Sequence, residues 1–148
     1  MRKAEIAQRE QGLNPYSNFN LVGAAQVGKS SLTGMRMLHR LGTRFPIWPF
    51  DPVPATGSVI AEIYTSVAAI AAGLPKGRTK MRDAASLDSA LINIGSEPHE
   101  PLTRYTDHAT DAILTSAWLR AVAEDPKLWN PPGLNAVAAT EGWTFGVR

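Results

Sequence analysis

Four prolines crowd the segment from Arg44 to Pro54, and they limit what the middle of this 148-residue chain can form. Proline has no backbone N–H to donate, so within sheets it is confined to edge strands and bulges. Ile47 and Trp48 lie between the first two of these prolines. The segment therefore predicts a short edge strand followed by an irregular connection, and it argues against a central strand.

The composition indicates one globular domain. Hydrophobic residues make up 44% of the chain and charged residues 19%, which is enough apolar surface for a core. A net charge of +2 excludes nucleic-acid binding by bulk charge, although not by a local patch. The absence of cysteine excludes disulfides, thiolate catalysis and cysteine-ligated zinc. The apolar run from Ile63 to Pro75 is too short to cross a bilayer. We expect a cytoplasmic protein with no membrane association.

Local patterns predict alternating strands and helices after a polar, helix-prone start. The predicted strands, rich in β-branched and aromatic residues, are Phe19–Val22, Ile47–Trp48, Ser58–Tyr64 and Trp143–Val147. The predicted helices, marked by apolar spacing, caps and glycine stops, run from Ser30 or Ser31 to Leu41, Ser66–Ala72, Asp83–Ile94 and Asp107–Glu124. The four tryptophans are expected to pack in the core. This order favours an α/β fold with helices packed on a sheet.

The segment from Gly23 to Ser30 matches the phosphate-loop pattern GxxxxGK[ST]. In such a loop Gly23 and Gly28 let backbone amides surround a phosphate, Lys29 reaches its outer oxygens, and Ser30 holds magnesium. A predicted strand precedes the segment and a helix follows it. The alternative is a glycine-rich turn that feeds a helix, with Lys29 in solvent.

Three carboxylates lie at positions where the apolar pattern of a predicted helix or strand favours burial. Asp107 and Asp111 continue the apolar stripe of the last long helix towards its N-terminus, and Glu62 interrupts an apolar strand. Unpartnered carboxylates are costly to bury, and a divalent metal with oxygen ligands removes that cost. The arrangement favours a two-metal phosphodiesterase site holding Mg²⁺ or Mn²⁺. The alternatives are that Asp107 caps the helix, Asp111 favours its dipole, and Glu62 faces solvent.

The sequence KGRTKMR is the densest basic segment of the chain. It places four cations within seven residues and connects two predicted helices. Such a segment engages a nucleic-acid backbone or forms a solvated loop. The residues that would contact nucleic acid are Lys76, Arg78, Lys80 and Arg82.

Five blocks in order resemble a largely bacterial family of unknown function (DUF429-type), whose members are predicted RNase H-like nucleases. The blocks are FNLVGAAQVGKSSLTGMRML, IWPFD, VIAEIYTSVAA, TDHATDAILTSAWLR and TEGWTFGV. The resemblance implies a mixed sheet flanked by helices. It also implies catalytic and metal-binding roles for Glu62, Asp107 and Asp111, with His108 assisting next to them. Lys29 is outside the family pattern, so the resemblance makes the phosphate-loop match incidental.

One departure from the family concerns the start of the chain. The first strands of the fold usually supply another metal-binding aspartate, but the 18 residues before Phe19 contain only Glu5 and Glu10 as acids. We therefore expect a single domain in which residues 1–18 form a polar segment and 19–147 resemble the C-terminal part of an RNase H-like domain.

Three functions remain open from the sequence. The first is a metal-dependent nuclease, truncated and inactive if the missing strands are essential. The second is a nucleotide-binding protein that uses Gly23 to Ser30. The third is a non-catalytic remnant of the fold that covers an open sheet edge by forming a homo-oligomer.

Overall fold

The computed structural model describes residues 1–23, 25–76 and 80–148. Helices account for 43% of the structure and strand for only 3%. The helices are α1 (Lys3–Glu10), α2 (Val27–Leu41), α3 (Ser66–Ala71), α4 (Ala84–Asn93), α5 (Asp107–Val122) and α6 (Pro126–Trp129), followed by a 3₁₀ turn at Leu134–Ala136. No helix within the described ranges is long and apolar enough to cross a membrane.

The prediction of an α/β, RNase H-like mixed sheet is wrong, because the described parts of the chain contain no sheet. Ile47 and Ile60 form an isolated parallel bridge, in which the Trp48 N–H donates to the Ile60 carbonyl at 2.9 Å. The pairing does not extend from this bridge. Pro46 and Pro49 flank it and have no N–H with which to continue a ladder.

The other predicted strands also lack a partner along their length. Phe19–Val22 lies in a turn region, where the Asn20 N–H donates to the Ser17 carbonyl at 2.9 Å. Ser58–Tyr64 has single bridge residues at Ile60 and Ile63 and forms no continuous strand. In Trp143–Val147 the Phe145 N–H donates to the Glu62 carbonyl at 2.8 Å, and the chain then turns.

The helix predictions are confirmed with small changes at the ends. α2 begins at Val27, before the predicted serines, and ends at Leu41, followed by the C-cap Gly42, whose positive φ of 58° suits glycine. Asp83 caps α4 by accepting a hydrogen bond from the Ser86 N–H at 2.8 Å. Thr106, rather than Asp107, caps α5.

The chain packs as two compact units. Unit 1 comprises Met1–Glu62 and Trp129–Arg148, and unit 2 comprises Ile63–Leu128. The core of unit 1 comes mainly from α1 and the C-terminal segment, together with Trp48. Its buried side chains are Ala4, Glu5, Gln8, Leu13, Trp48, Leu134, Val137, Trp143, Thr144, Phe145 and Val147.

Unit 2 has a helical core in which α5 packs against α3 and α4. Its buried side chains are Ala68, Ala69, Ala72, Met81, Leu87, Ala90, Leu91, Thr110, Leu114, Thr115, Trp118 and Leu128. The predicted packing role of the tryptophans is confirmed for Trp48, Trp118 and Trp143, which are at most 5% exposed. Trp129 is half-buried, and its ring centroid lies 4.4 Å from that of Phe145.

Candidate functional site

The glycines of the phosphate-loop pattern have structural roles in unit 1. A Cβ on Gly28 would lie 2.1 Å from the Asn18 carbonyl oxygen, and Gly23 has a φ of 90°. The Gly28 N–H already donates to the Asn20 carbonyl at 3.1 Å. Lys29 and Ser30 lie exposed in the first turn of α2. Ala24, inside the pattern, lies outside the described residues, and phosphate binding stays a prediction.

A cavity of about 270 Å³ opens in unit 1 beside α2. Most of its lining is apolar, and it includes two buried indoles, Trp48 and Trp143, and the exposed ring of Phe50. Its polar lining consists of Arg2, Asn18, Ser31, Glu62 and Glu141. An apolar cavity with a few converging polar groups is the usual form of a small-molecule site.

Glu62 is the carboxylate of this cavity that has no close partner. Its side chain is exposed, in line with the alternative that Glu62 faces solvent, yet neighbouring protein partly desolvates the carboxyl and raises the pKa of Glu62 above its ordinary value. The Arg2 charge opposes the shift and the Glu5 charge adds to it. No group in the described part of the chain bonds or pairs with the Glu62 carboxylate. The Glu62 backbone is fixed, since its carbonyl accepts the Phe145 N–H.

The Arg2 guanidinium makes its hydrogen bonds with Glu5 and Glu141 and not with Glu62. Its Nε donates to the Glu5 carboxylate at 2.9 Å and its Nη1 donates to the Glu141 carbonyl at 3.1 Å. Glu5 is 1% exposed and also accepts the Asn18 N–H at 2.7 Å. Burial alone would raise the pKa of Glu5, but the bonds from Asn18 and Arg2 outweigh it and lower that pKa. Unit 1 therefore satisfies the buried carboxylate of Glu5 and leaves the exposed carboxylate of Glu62 open to a ligand.

In unit 2, two of the three predicted metal ligands pair with two of the four residues predicted to contact nucleic acid. Lys80 Nζ lies 3.4 Å from both Asp107 Oδ2 and Asp111 Oδ2, and Arg82 Nη2 lies 3.0 Å from Asp107 Oδ1. The Thr65 hydroxyl donates to Asp111 at 3.3 Å. The sequence patterns had suggested two separate sites, but these charges neutralise each other.

The remaining predicted site residues form no metal-binding group with these carboxylates in the described part of the chain. Glu62 belongs to unit 1, whereas Asp107 and Asp111 belong to unit 2. His108 and Lys76 are exposed, and Arg78 lies outside the described residues. The described residues contain no group of three or more His, Asp or Glu side chains arranged to hold a metal. Mg²⁺ or Mn²⁺ binding and nucleic-acid binding stay predictions.

The sequence interpretation missed a series of side-chain hydrogen bonds in unit 2, which links Asp88, His99 and Tyr105. The side chain of His99 is 5% exposed; its Nδ1 lies 2.6 Å from Asp88 Oδ1 and its Nε2 lies 2.9 Å from the Tyr105 hydroxyl. The Tyr105 oxygen also accepts the Leu102 N–H at 3.4 Å. Hydrogen bonds from His99 lower the pKa of Asp88. Both ring nitrogens are satisfied, so this series of hydrogen bonds fastens the connection between α4 and α5. The separations of these residues along the sequence match no standard motif.

Comparisons with known proteins identify no relative of this chain. No family model, no curated protein and no solved structure matches the chain.

Proposed function

We propose that unit 1 is a small-molecule-binding module whose ligand is an organic cation with an apolar body. The observation that carries the proposal is the position of Glu62, a carboxylate without a close partner inside a largely apolar cavity. A cavity of about 270 Å³ suits a ligand of modest size, near the lower end of the roughly 300–1,000 Å³ found for binding pockets.

The charge of the ligand follows from the surroundings of Glu62. Because Glu5 and Glu141 hold the Arg2 guanidinium, the cavity lacks a close counter-charge for the Glu62 carboxylate. An ammonium on the ligand would supply this charge and donate hydrogen bonds, which are stronger when both groups are charged. Trp48, Trp143 and Met35 provide apolar surface for the rest of the molecule.

Binding of phenethylammonium to the whole chain tests the proposal, with phenylacetate as the anionic counterpart. Calorimetry and the fluorescence of the cavity tryptophans report occupancy. We expect Glu62→Gln to weaken binding of the cation about tenfold, the usual scale for a lost charged hydrogen bond. The matched control is Glu10→Gln, which removes an exposed carboxylate of the same unit and should leave affinity unchanged. Equal binding of cation and anion, or an unaffected Glu62→Gln variant, would contradict the proposal.

The raised pKa of Glu62 gives a second readout. The folded protein binds this proton more readily than the unfolded chain, so stability falls as pH rises from the ordinary value of 4.5 through the folded pKa. Glu62→Gln should therefore be more stable than the wild type at neutral pH, and the difference should shrink below 4.5. Thermal unfolding across this pH range measures the effect, while cation affinity should rise with pH as Glu62 ionises.

Divalent-metal-dependent phosphodiester hydrolysis is a second proposal, located in unit 2. The favouring observation is that carboxylate oxygens of Asp107 and Asp111 converge on one cation, the Lys80 ammonium, at 3.4 Å each. Lys80 is half-exposed and can be displaced by Mg²⁺ or Mn²⁺, which prefer oxygen ligands.

Calorimetry with Mn²⁺ tests this second proposal. Lys80→Gln should bind Mn²⁺ more tightly than the wild type, because a competing cation is removed, and Asp111→Asn should lose binding. Cleavage of DNA or RNA in Mn²⁺ by Lys80→Gln, absent from Asp111→Asn, would support catalysis. Absence of Mn²⁺ binding by both wild type and Lys80→Gln would refute it.

A further inference from the structure

Helix α2 is almost entirely outside the core of unit 1. Of its 15 residues only Gly28 is buried. Large apolar side chains on this helix remain exposed, namely Leu32 (52%), Met35 (57%) and Met37 (63%). A helix with so much uncovered apolar surface marks a site of interaction.

Cations share the outward side of α2 with these apolar side chains. At about 100° per residue, Lys29, Arg36 and Arg40 fall within an arc of roughly 40°. Leu32 lies roughly 40° beyond one edge of this arc and Met37 roughly 60° beyond the other. All three cations are exposed, and none of them takes part in a salt bridge within the described residues.

The charge of the surrounding sequence has one sign. Residues 11–50 hold four of the 15 Lys and Arg residues and none of the 13 Asp and Glu residues. The rest of the chain therefore has a net charge of −2, although the whole has +2. The basic character of this protein is concentrated in and around α2.

The turn before α2 adds apolar surface beside it. Leu21 lies against the first turn of the helix, with its Cδ2 2.9 Å from where a Cβ on Gly28 would stand. The Asn20 carbonyl accepts the Gly28 N–H and fixes the turn to the helix. Phe19, Leu21 and Val22 are 72%, 53% and 77% exposed.

We propose that α2 and residues 19–22 form a surface that binds the headgroup region of an anionic lipid bilayer. An interfacial helix combines exposed large apolar side chains with Lys and Arg, lies in the plane of the membrane and does not cross it. The cations meet the lipid headgroups while the adjacent leucine, methionine and phenylalanine side chains enter the acyl boundary. A nucleic-acid backbone would satisfy the cations but would leave these apolar side chains uncovered. A second copy apposed through the same surface would bring like charges together.

Sedimentation of the whole chain with vesicles tests this proposal. We expect binding to vesicles of equal parts phosphatidylserine and phosphatidylcholine, weak binding to phosphatidylcholine alone, and release by salt. The triple variant Lys29→Gln/Arg36→Gln/Arg40→Gln should bind roughly a hundredfold more weakly, at about fivefold for each lost charge. The matched control removes three exposed charges of unit 2, as Arg104→Gln/Arg120→Gln/Lys127→Gln, and should bind as the wild type does.

A second variant separates the apolar contribution from the charge. Leu32→Ser/Met37→Ser keeps every cation and changes no residue of the cavity wall, so ligand binding there is expected to be unaffected. Vesicle binding should fall at least tenfold, while circular dichroism and thermal unfolding should show that the fold is kept.

Three outcomes would overturn the proposal. The first is equal binding to neutral and anionic vesicles. The second is tighter binding of duplex DNA or RNA by anisotropy, lost in the triple charge variant but kept in Leu32→Ser/Met37→Ser. The third is a stable dimer by light scattering that Leu32→Ser/Met37→Ser dissociates.

Discussion

The two units of this chain differ sharply in what they leave exposed. Of the 13 large apolar side chains that are exposed within the described residues, 12 belong to unit 1 and only Ile92 belongs to unit 2. The charged side chains discussed above also differ between the units. Unit 2 pairs Asp107 and Asp111 with cations and satisfies both nitrogens of His99, whereas unit 1 leaves Glu62 without a close partner.

This difference indicates where binding should be sought. Groups that are already paired or buried gain little from a ligand. An unpartnered carboxylate can gain a charged hydrogen bond from a cationic ligand, and uncovered apolar side chains gain from being removed from water. Unit 2 therefore has the character of a self-sufficient helical body. Unit 1 has the character of a binding surface, and three pairs of substitutions test that contrast.

The largest expected effect separates a buried leucine from an exposed one. Leu114 in α5 is 1% exposed, and Leu114→Ala should lower the free energy of unfolding by about 3 kcal/mol through lost contacts and a cavity. Leu32 in α2 is 52% exposed, and Leu32→Ala should change it by less than about 0.5 kcal/mol. Urea unfolding measures both. Similar losses for the two variants would show that α2 is packed in solution.

Two glycines of α2 should respond with opposite signs. Gly28→Ala would place a Cβ 2.1 Å from the Asn18 oxygen, and moving that backbone should cost about 2 kcal/mol. Gly34 has open space at the same position, so Gly34→Ala should stabilise the helix by roughly 0.5–1 kcal/mol. Thermal unfolding distinguishes the two. Destabilisation by Gly34→Ala would contradict the open position of this helix face.

The smallest effect concerns the series of side-chain hydrogen bonds in unit 2. Tyr105→Phe leaves His99 Nε2 and the Leu102 N–H without the hydroxyl and should cost about 1 kcal/mol. The lowered pKa of Asp88 means that its contribution is present above the ordinary value of 3.8 and is lost as pH falls through the folded pKa. Asp88→Asn should therefore flatten the loss of stability in acid. An unchanged acid limb would show that Asp88 and His99 are not paired in solution.

The helices could be predicted from the sequence because their hydrogen bonds and caps are local. Asp83 and Gly42 mark helix ends by their own chemistry, and the predicted bounds of α4 and α5 agree with the structure to within a few residues. Strands depend on partners distant in sequence, which no local pattern supplies. Ser58–Tyr64 has a strand-like composition, yet the proline-flanked segment opposite it offers only one bridge.

The candidate site was visible only in part. Glu62 was identified as an acid in an apolar segment, but its cavity also requires residues 141–143, which no spacing rule connects to it. The attraction between Lys80 and the α5 carboxylates was missed because the basic and acidic patterns were interpreted separately. His99 was missed because its partners, Asp88 and Tyr105, are brought together by the connection between α4 and α5 rather than by a repeat.

The division of the chain into two units also determines the order in which these units can fold during synthesis. Unit 2 is one continuous stretch, whereas unit 1 begins at residue 1 and needs Leu134, Trp143 and Phe145 to complete its core. Domains generally fold as units during synthesis, and synthesis proceeds at about 5–20 residues per second. The first 62 residues must therefore wait, with their apolar side chains uncovered, while unit 2 is translated and folds. During that interval the uncovered apolar side chains of this segment are accessible to chaperones.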